Sequence, residues 1–153
     1  FMDEKDALLR METYCSSAEH CIYDVRQKLE KIDLSQEQMD SIVEVLLREK
    51  YIDEKRYSSA FVHDKIMFAK WGRNKISAML WQKRIPQNII SEVLEDIDTE
   101  LYLSVLQDVI ASKRREVKGK TEYEKNIKLI KSVASRGFEI PLIKQFVNIE
   151  EEW

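Results

Sequence analysis

The sequence predicts an all-α protein of three tandem three-helix repeats, forming an elongated helical array that can curve. Three observations predict it. Apolar residues recur at helical spacing along nearly the whole chain. Only three glycines and two prolines occur in 153 residues, too few for a turn-rich β fold. And one pattern of five apolar positions occurs three times: Val25–Leu29–Leu34–Met39–Ile42, Ile76–Leu80–Ile85–Ile90–Val93 and Leu129–Val133–Phe138–Ile143–Phe146, offset by 51 and then 53 residues. In each copy the first two positions lie four apart on one helix face, the third falls in a connector, and the last two lie three apart on the next helix. Ser35, Pro86 and Glu139 follow the connector residue at equivalent places. Another amphipathic helix precedes each pattern, so the unit has three helices. Repeats spanning residues 1–50, 51–97 and 98–153 follow, and small units of this kind bury enough core only by stacking in series.

The punctuation places nine helices, near residues 2–14, 17–31, 35–49, 53–70, 73–84, 86–96, 98–117, 121–136 and 140–150. Ser16…Glu19, Ser35…Gln38 and Thr121…Glu124 have the spacing of capping boxes at helix starts. Asp53 is placed to cap the fourth helix, whose buried stripe is expected to include Tyr57, Phe61 and Phe68. Pro86 and Pro141 fall where a helix begins and a missing N–H does no harm. Gly72, Gly119 and Gly137 are expected to close the helices before them. The predicted core comprises Val25, Leu29, Leu34, Ile42, Ile76, Leu80, Ile85, Val93, Leu129, Val133, Phe138 and Phe146.

Composition narrows function by exclusion. No apolar run approaches the roughly 20 residues that span a bilayer. The acidic first residues hold no hydrophobic signal core, so no export leader is expected, and a cytoplasmic protein is. Cys15 and Cys21 lack metal-ligand spacing and are expected to be reduced and structural. The phosphate-binding GxxxxGK[ST] loop, GxGxxG and GxSxG are all missing. His20 and His63 are the only histidines, and the carboxylates fall on polar helix faces. No catalytic residue, metal or cofactor is expected, and the chain is not expected to be an enzyme.

Charge is unevenly spread. Residues 1–54 carry fourteen acids against seven bases, residues 55–136 ten against seventeen, and the last seventeen residues four against one. Between Lys65 and Arg84 there is no acid at all; Lys65, Lys70, Arg73, Lys75, Lys83 and Arg84 are interleaved with Phe68, Trp71 and Trp81. A second run is Lys113, Arg114, Arg115, Lys118 and Lys120. Lysine and arginine gather at phosphates because condensed counterions are released, and aromatic rings stack on unpaired bases. These residues, with Trp71 among them, are the candidate contacts for DNA or for acidic parts of a protein filament. Trp81 is expected in the core; exposure of Trp71 is left open.

The segment Lys50-Tyr51-Ile52-Asp53-Glu54-Lys55-Arg56-Tyr57 resembles the stretch Gly-Tyr-Ile/Leu-Asp-Asp-x-Arg-Tyr-Ala of the RecX family. Trp71-Gly72-Arg73-Asn74-Lys75-Ile76 with Leu80 and Ile85 is similar to that family's next motif. Lys50, Ser58 and Arg84 depart from it, standing where Gly, Ala and Gly are usual; Gly137 before Phe138 keeps the last of these in repeat three. The resemblance implies three tandem three-helix repeats and a monomeric regulator that binds the filament of RecA recombinase on single-stranded DNA, inhibiting strand exchange and ATP hydrolysis. It makes Arg56 a candidate contact too, or alternatively a tie between repeats through an acidic partner. The competing reading is an autonomous, non-sequence-specific DNA-binding protein with helix-turn-helix-like units contacting single- or double-stranded DNA directly.

Overall fold

A computed structural model describes residues 2–149. Within them are nine α-helices and no β-strand: α1 (Glu4–Ser17), α2 (Ile22–Leu29), α3 (Gln36–Arg48), α4 (Glu54–Asp64), α5 (Arg73–Gln82), α6 (Gln87–Glu95), α7 (Thr99–Arg114), α8 (Glu122–Ala134) and α9 (Ile140–Ile143), with a π-helical turn Lys65–Ala69 after α4. These form three successive sets of three. By contact, the chain divides into two compact units, residues 1–61 with 80–90 and residues 62–79 with 91–153, so segments of the second repeat belong to each.

The three equivalent residues Ser35, Pro86 and Glu139 each stand immediately before the last helix of a repeat. The Ser35 hydroxyl accepts the Gln38 N–H at 3.1 Å and the Gln38 side chain returns to the Ser35 N–H at 2.9 Å, a complete capping box. Pro86 offers its carbonyl to the Ile90 N–H at 3.1 Å. Glu139 makes no cap bond with its side chain, which is used elsewhere. At α4, Asp53 accepts the Arg56 N–H at 3.0 Å, as expected. Thr121 accepts the Glu124 N–H at 3.0 Å, but the Glu124 carboxylate reaches the Lys120 N–H instead of closing the box.

The first break moves. Ser16 does not cap a helix; its hydroxyl donates back to the Glu12 carbonyl at 2.7 Å and α1 continues through Ser17. The second helix starts at Ile22, where Asp24 accepts the Cys21 N–H at 3.5 Å. A serine four residues from a carbonyl in its own helix has a local acceptor, and that alternative wins here. At the other end α9 is one turn, Ile140–Ile143, rather than a helix to residue 150, which itself lies outside the described residues.

Of the twelve predicted core residues, ten are buried, whereas Leu34 and Phe146 are only half-buried. In the first unit Ala7, Met11, Val25, Leu29, Ile42, Val43, Leu46 and Ile52 form one cluster, with Leu34 packed at its edge. In the second, Phe138 is buried with its ring 5.5 Å from that of Tyr102. Next to it Val147, rather than Phe146, is buried, because α9 ends early and the chain turns after Lys144. Both cysteines are free and buried, and burial pushes each thiol up to about 11, so they remain protonated at neutral pH.

Two of the glycines have other reasons than helix closure. Gly137 does take the left-handed conformation, φ 98°. Gly72 does not; Lys70, φ 54°, ends the π-helical turn before it. A Cβ on Gly72 would lie 2.4 Å from backbone atoms of Gly137 and Phe138. Its N–H donates to the Arg136 carbonyl at 2.8 Å and the Asn74 N–H to the Gly137 carbonyl at 2.9 Å, so two backbones cross at hydrogen-bond distance. Gly119 stands beyond the end of α7, which closes on Arg115.

Candidate functional site

The candidate residues separate into those with fixed intramolecular partners and those turned outward. In the first unit, Arg56 begins α4 and its Nε donates to the Glu19 carboxylate at 2.6 Å, while Nη2 reaches the carbonyls of Lys50 and Tyr51 at 3.1 and 3.4 Å. One side chain thus ties α4 to the α1–α2 connector and to the end of the α3 connection. Lys83 Nζ lies 2.6 Å from Asp24, which also faces His20 at 3.6 Å. Burial works to raise the Asp24 carboxyl; Lys83 and the Cys21 N–H outweigh it and hold the group below its ordinary value. Arg84, by contrast, is exposed, in the left-handed region at φ 60°, with its guanidinium 5.6 Å from the Tyr23 ring.

Glu54, beside this cluster, has a buried Oε2 with no hydrogen-bond partner. Burial, with Asp24 and Asp53 nearby, pushes its carboxyl up to about 7, although the Ile22 N–H favours the charged form. A carboxyl raised on folding stabilises the protein below its unfolded value and loses that contribution as pH rises through the folded one. Glu54→Gln, which keeps an acceptor for Ile22, is therefore expected to raise stability by about 1 kcal/mol at pH 8, well under the roughly 3 kcal/mol of the full shift because the side chain is partly solvated. At pH 4.5 it should change little. Urea melts at the two pH values check this, and an equal effect at both would sink it.

In the second unit Trp71 is half-buried between two lysines, with Lys65 Nζ 4.8 Å and Lys75 Nζ 4.4 Å from its ring centroid. Lys70 faces Asp108 at 3.8 Å, but both are well exposed, so the contact contributes little. Phe68 corrects the expectation of a continuous buried stripe: Tyr57 is buried, yet Phe68 is 80% exposed. Val62 and Ile66 carry the buried face round the helix, and Phe68, two residues beyond Ile66, falls on the opposite side. Trp81, also expected in the core, is 71% exposed; it lies beside fully buried Leu80 in the last turn of α5.

Arg73 is not an open contact. Its Nη1 bonds Glu139 Oε2 at 2.7 Å, its guanidinium lies 3.9 Å from the Tyr102 ring centroid, and its N–H donates to the Tyr102 hydroxyl at 3.0 Å. That hydroxyl donates in turn to Glu139 Oε1. Burial, then the bond to Glu139, pushes the phenol well above its ordinary range. Neither Tyr102 nor Glu139 stood out in the sequence. The one available clue was that Glu139 shares the capping position of Ser35 and Pro86 without a capping side chain's job.

The run Lys113–Lys120 begins in the last turn of α7, where cations complement the helix dipole. Lys113 lies 3.6 Å from Glu116, and Arg114 Nη1 donates to the Asn126 side-chain Oδ1 at 3.5 Å. Arg114 and Arg115 border a shallow cleft with Ile110, Ala111 and Phe146. Lys118 and Lys120 are exposed. Among the described residues, no three His, Cys, Asp or Glu side chains gather as a metal site, and no helix is long and apolar enough to cross a membrane.

Three sets of three helices among the described residues define a helical-repeat protein. The family description "RecX, second three-helix domain" matches residues 53–94. Regulatory protein RecX of Clostridium botulinum is 30% identical over 151 residues, covering 94% of this chain and 70% of that protein. The chain belongs to the RecX family. Regulatory protein RecX of Chlorobium phaeobacteroides is 28% identical, covering 95% and 94%. The chain spans only about half the length of the relatives from Lactobacillus johnsonii and Leuconostoc mesenteroides, 50% and 51%. The fold also resembles two crystal structures. A regulatory protein RecX gives a TM-score of 0.86 at 22% identity, covering 96% of this chain and 73% of the other; RecX from Lactobacillus salivarius gives 0.84 at 19%, covering 93% and 92%.

Proposed function

We propose that this chain is a non-enzymatic regulator that binds the RecA–single-stranded-DNA filament as a monomer and lowers recombinase and ATPase activity. The observation that carries the reading is the second repeat: its Asp53-to-Tyr57 motif and residues 53–94 match the RecX three-helix domain. Repeats bounded near 1–50, 51–97 and 98–153 would each offer weak contacts, and several weak contacts to successive protomers add through effective concentration. In this reading Arg56, Arg73 and Lys83 hold the scaffold. Lys65, Lys70, Trp71, Lys75, Arg84 and the run Lys113, Arg114, Arg115, Lys118 and Lys120 supply the contacts.

The test is the DNA-dependent ATPase of the cognate recombinase titrated with this protein. The rate should fall with rising concentration while the protein alone hydrolyses nothing. An unchanged rate at saturation would overturn the reading and favour the autonomous DNA-binding protein.

A further inference from the structure

We propose that Phe68 and Trp71 form a stacking site for unpaired bases, with Lys65, Lys70 and Lys75 taking the phosphates of the same single strand. The inference deepens the filament reading, on which it rests for where such a strand is met; its test uses bare strand.

Three observations converge within eleven residues. First, Phe68 is 80% exposed close to buried Ile66, and neighbouring Met67 is 37% exposed. An isolated exposed aromatic ring contributes little to folding, and this one stands on the side of the turn opposite buried Ile66. The π-helical turn ends on left-handed Lys70, whose N–H donates to the Lys65 carbonyl, so the ring sits on a closed turn rather than a loose loop. Second, the lysines at 4.4 and 4.8 Å from the Trp71 centroid keep two cations beside an aromatic face. Such contacts are worth only about 0.5–1 kcal/mol at accessible sites. A phosphate can therefore draw the Lys75 ammonium off the ring while a base takes the face it leaves. Third, no carboxylate interrupts the chain from Lys65 to Arg84, and Asp108, which approaches Lys70 Nζ to 3.8 Å from elsewhere in the chain, is well exposed and holds it only weakly. Aromatic platforms beside lysines are what a strand with unpaired bases requires. A duplex keeps its base faces stacked inside and offers only its phosphates.

The experiment is fluorescence anisotropy of a labelled 20-nucleotide oligo-dT with the full chain, beside an abasic oligomer of equal length and a duplex. Phe68→Ala removes a side chain with almost no packing, and an unchanged urea melt verifies that. It should weaken oligo-dT binding by roughly tenfold, since one stacked base is worth that much. Its salt slope should not change, and the abasic strand should bind wild type no better than oligo-dT binds the variant. Lys65→Gln with Lys75→Gln should instead flatten the salt slope by about 0.7 per lost phosphate contact. Equal binding of oligo-dT by wild type and Phe68→Ala, or equal binding of abasic and base-bearing strands by wild type, would overturn the site. So would no binding of bare strand. If Phe68→Ala spared oligo-dT binding but abolished ATPase suppression, Phe68 would be a protein contact: the inference would fall and the filament reading stand. Phe68-dependent strand binding without any effect on the recombinase would give the reverse.

Discussion

Replacing Gly72 with alanine is expected to cost at least about 3 kcal/mol, the upper part of the range for overpacking a tight site. The added Cβ would lie 2.4 Å from the Gly137 carbonyl carbon and oxygen and from the Phe138 nitrogen, none of them the movable end of a side chain. Relief requires the two backbones to part. That would break the bonds from Gly72 N–H to Arg136 and from Asn74 N–H to Gly137, each worth about 1 kcal/mol. It would also disturb fully buried Phe138 next door. Gly119→Ala is the control: its Cβ would meet Glu124 and Lys125 atoms at 3.2 Å, two of them in flexible side chains. Urea unfolding should show a large loss for the first variant and a small one for the second. A loss below about 1 kcal/mol for Gly72→Ala would mean that this crossing separates easily.

The repeat was legible because its evidence is local. Spacings of three and four place residues on one helix face whatever the helix later packs against, and Ser35, Pro86 and Glu139 mark three helix starts by position alone. Less legible were features that depend on how the chain departs from regular geometry. An α-helical period puts Phe68 on the face of Tyr57, but the buried side moves round the helix to Val62 and Ile66, opposite Phe68. Lys50 and Arg84 stand where the family usually has glycine, and both keep the left-handed backbone, φ 65° and 60°, that glycine adopts without strain. The family motif thus carried backbone information that the residues themselves conceal. Site electrostatics were the least legible part. A tally of charge counts Arg73 and Lys83 as available cations, yet their carboxylates arrive from 66 and 59 residues away. Sequence distance hides such partners, so the acid-free stretch overstated the open basic surface at Arg73 and Lys83.

Glu139→Ala should therefore behave as a loss of scaffold rather than of a surface charge, costing about 2–4 kcal/mol. The carboxylate accepts from the Arg73 guanidinium with one oxygen and from the Tyr102 hydroxyl with the other. Tyr102 is fully buried, while Arg73 and Glu139 are 26% and 28% exposed in their side chains, which keeps the value below that of a wholly buried pair. Removal leaves a buried hydroxyl and a guanidinium without their acceptor at the start of α5, where Gly72 and Gly137 cross. Glu139→Gln should lose less, because the amide oxygen still accepts one of the two donors, and only the charge and the second acceptor are gone. Arg73→Ala combined with Glu139→Ala should cost clearly less than the sum of the single variants, since each already breaks the same contact. Any weakening of filament binding in Arg73 variants would then track the fraction folded, whereas Lys75→Gln should weaken binding without moving the melt. Additive losses, or a Glu139→Ala variant within about half a kcal/mol of wild type, would return Arg73 to the contact surface.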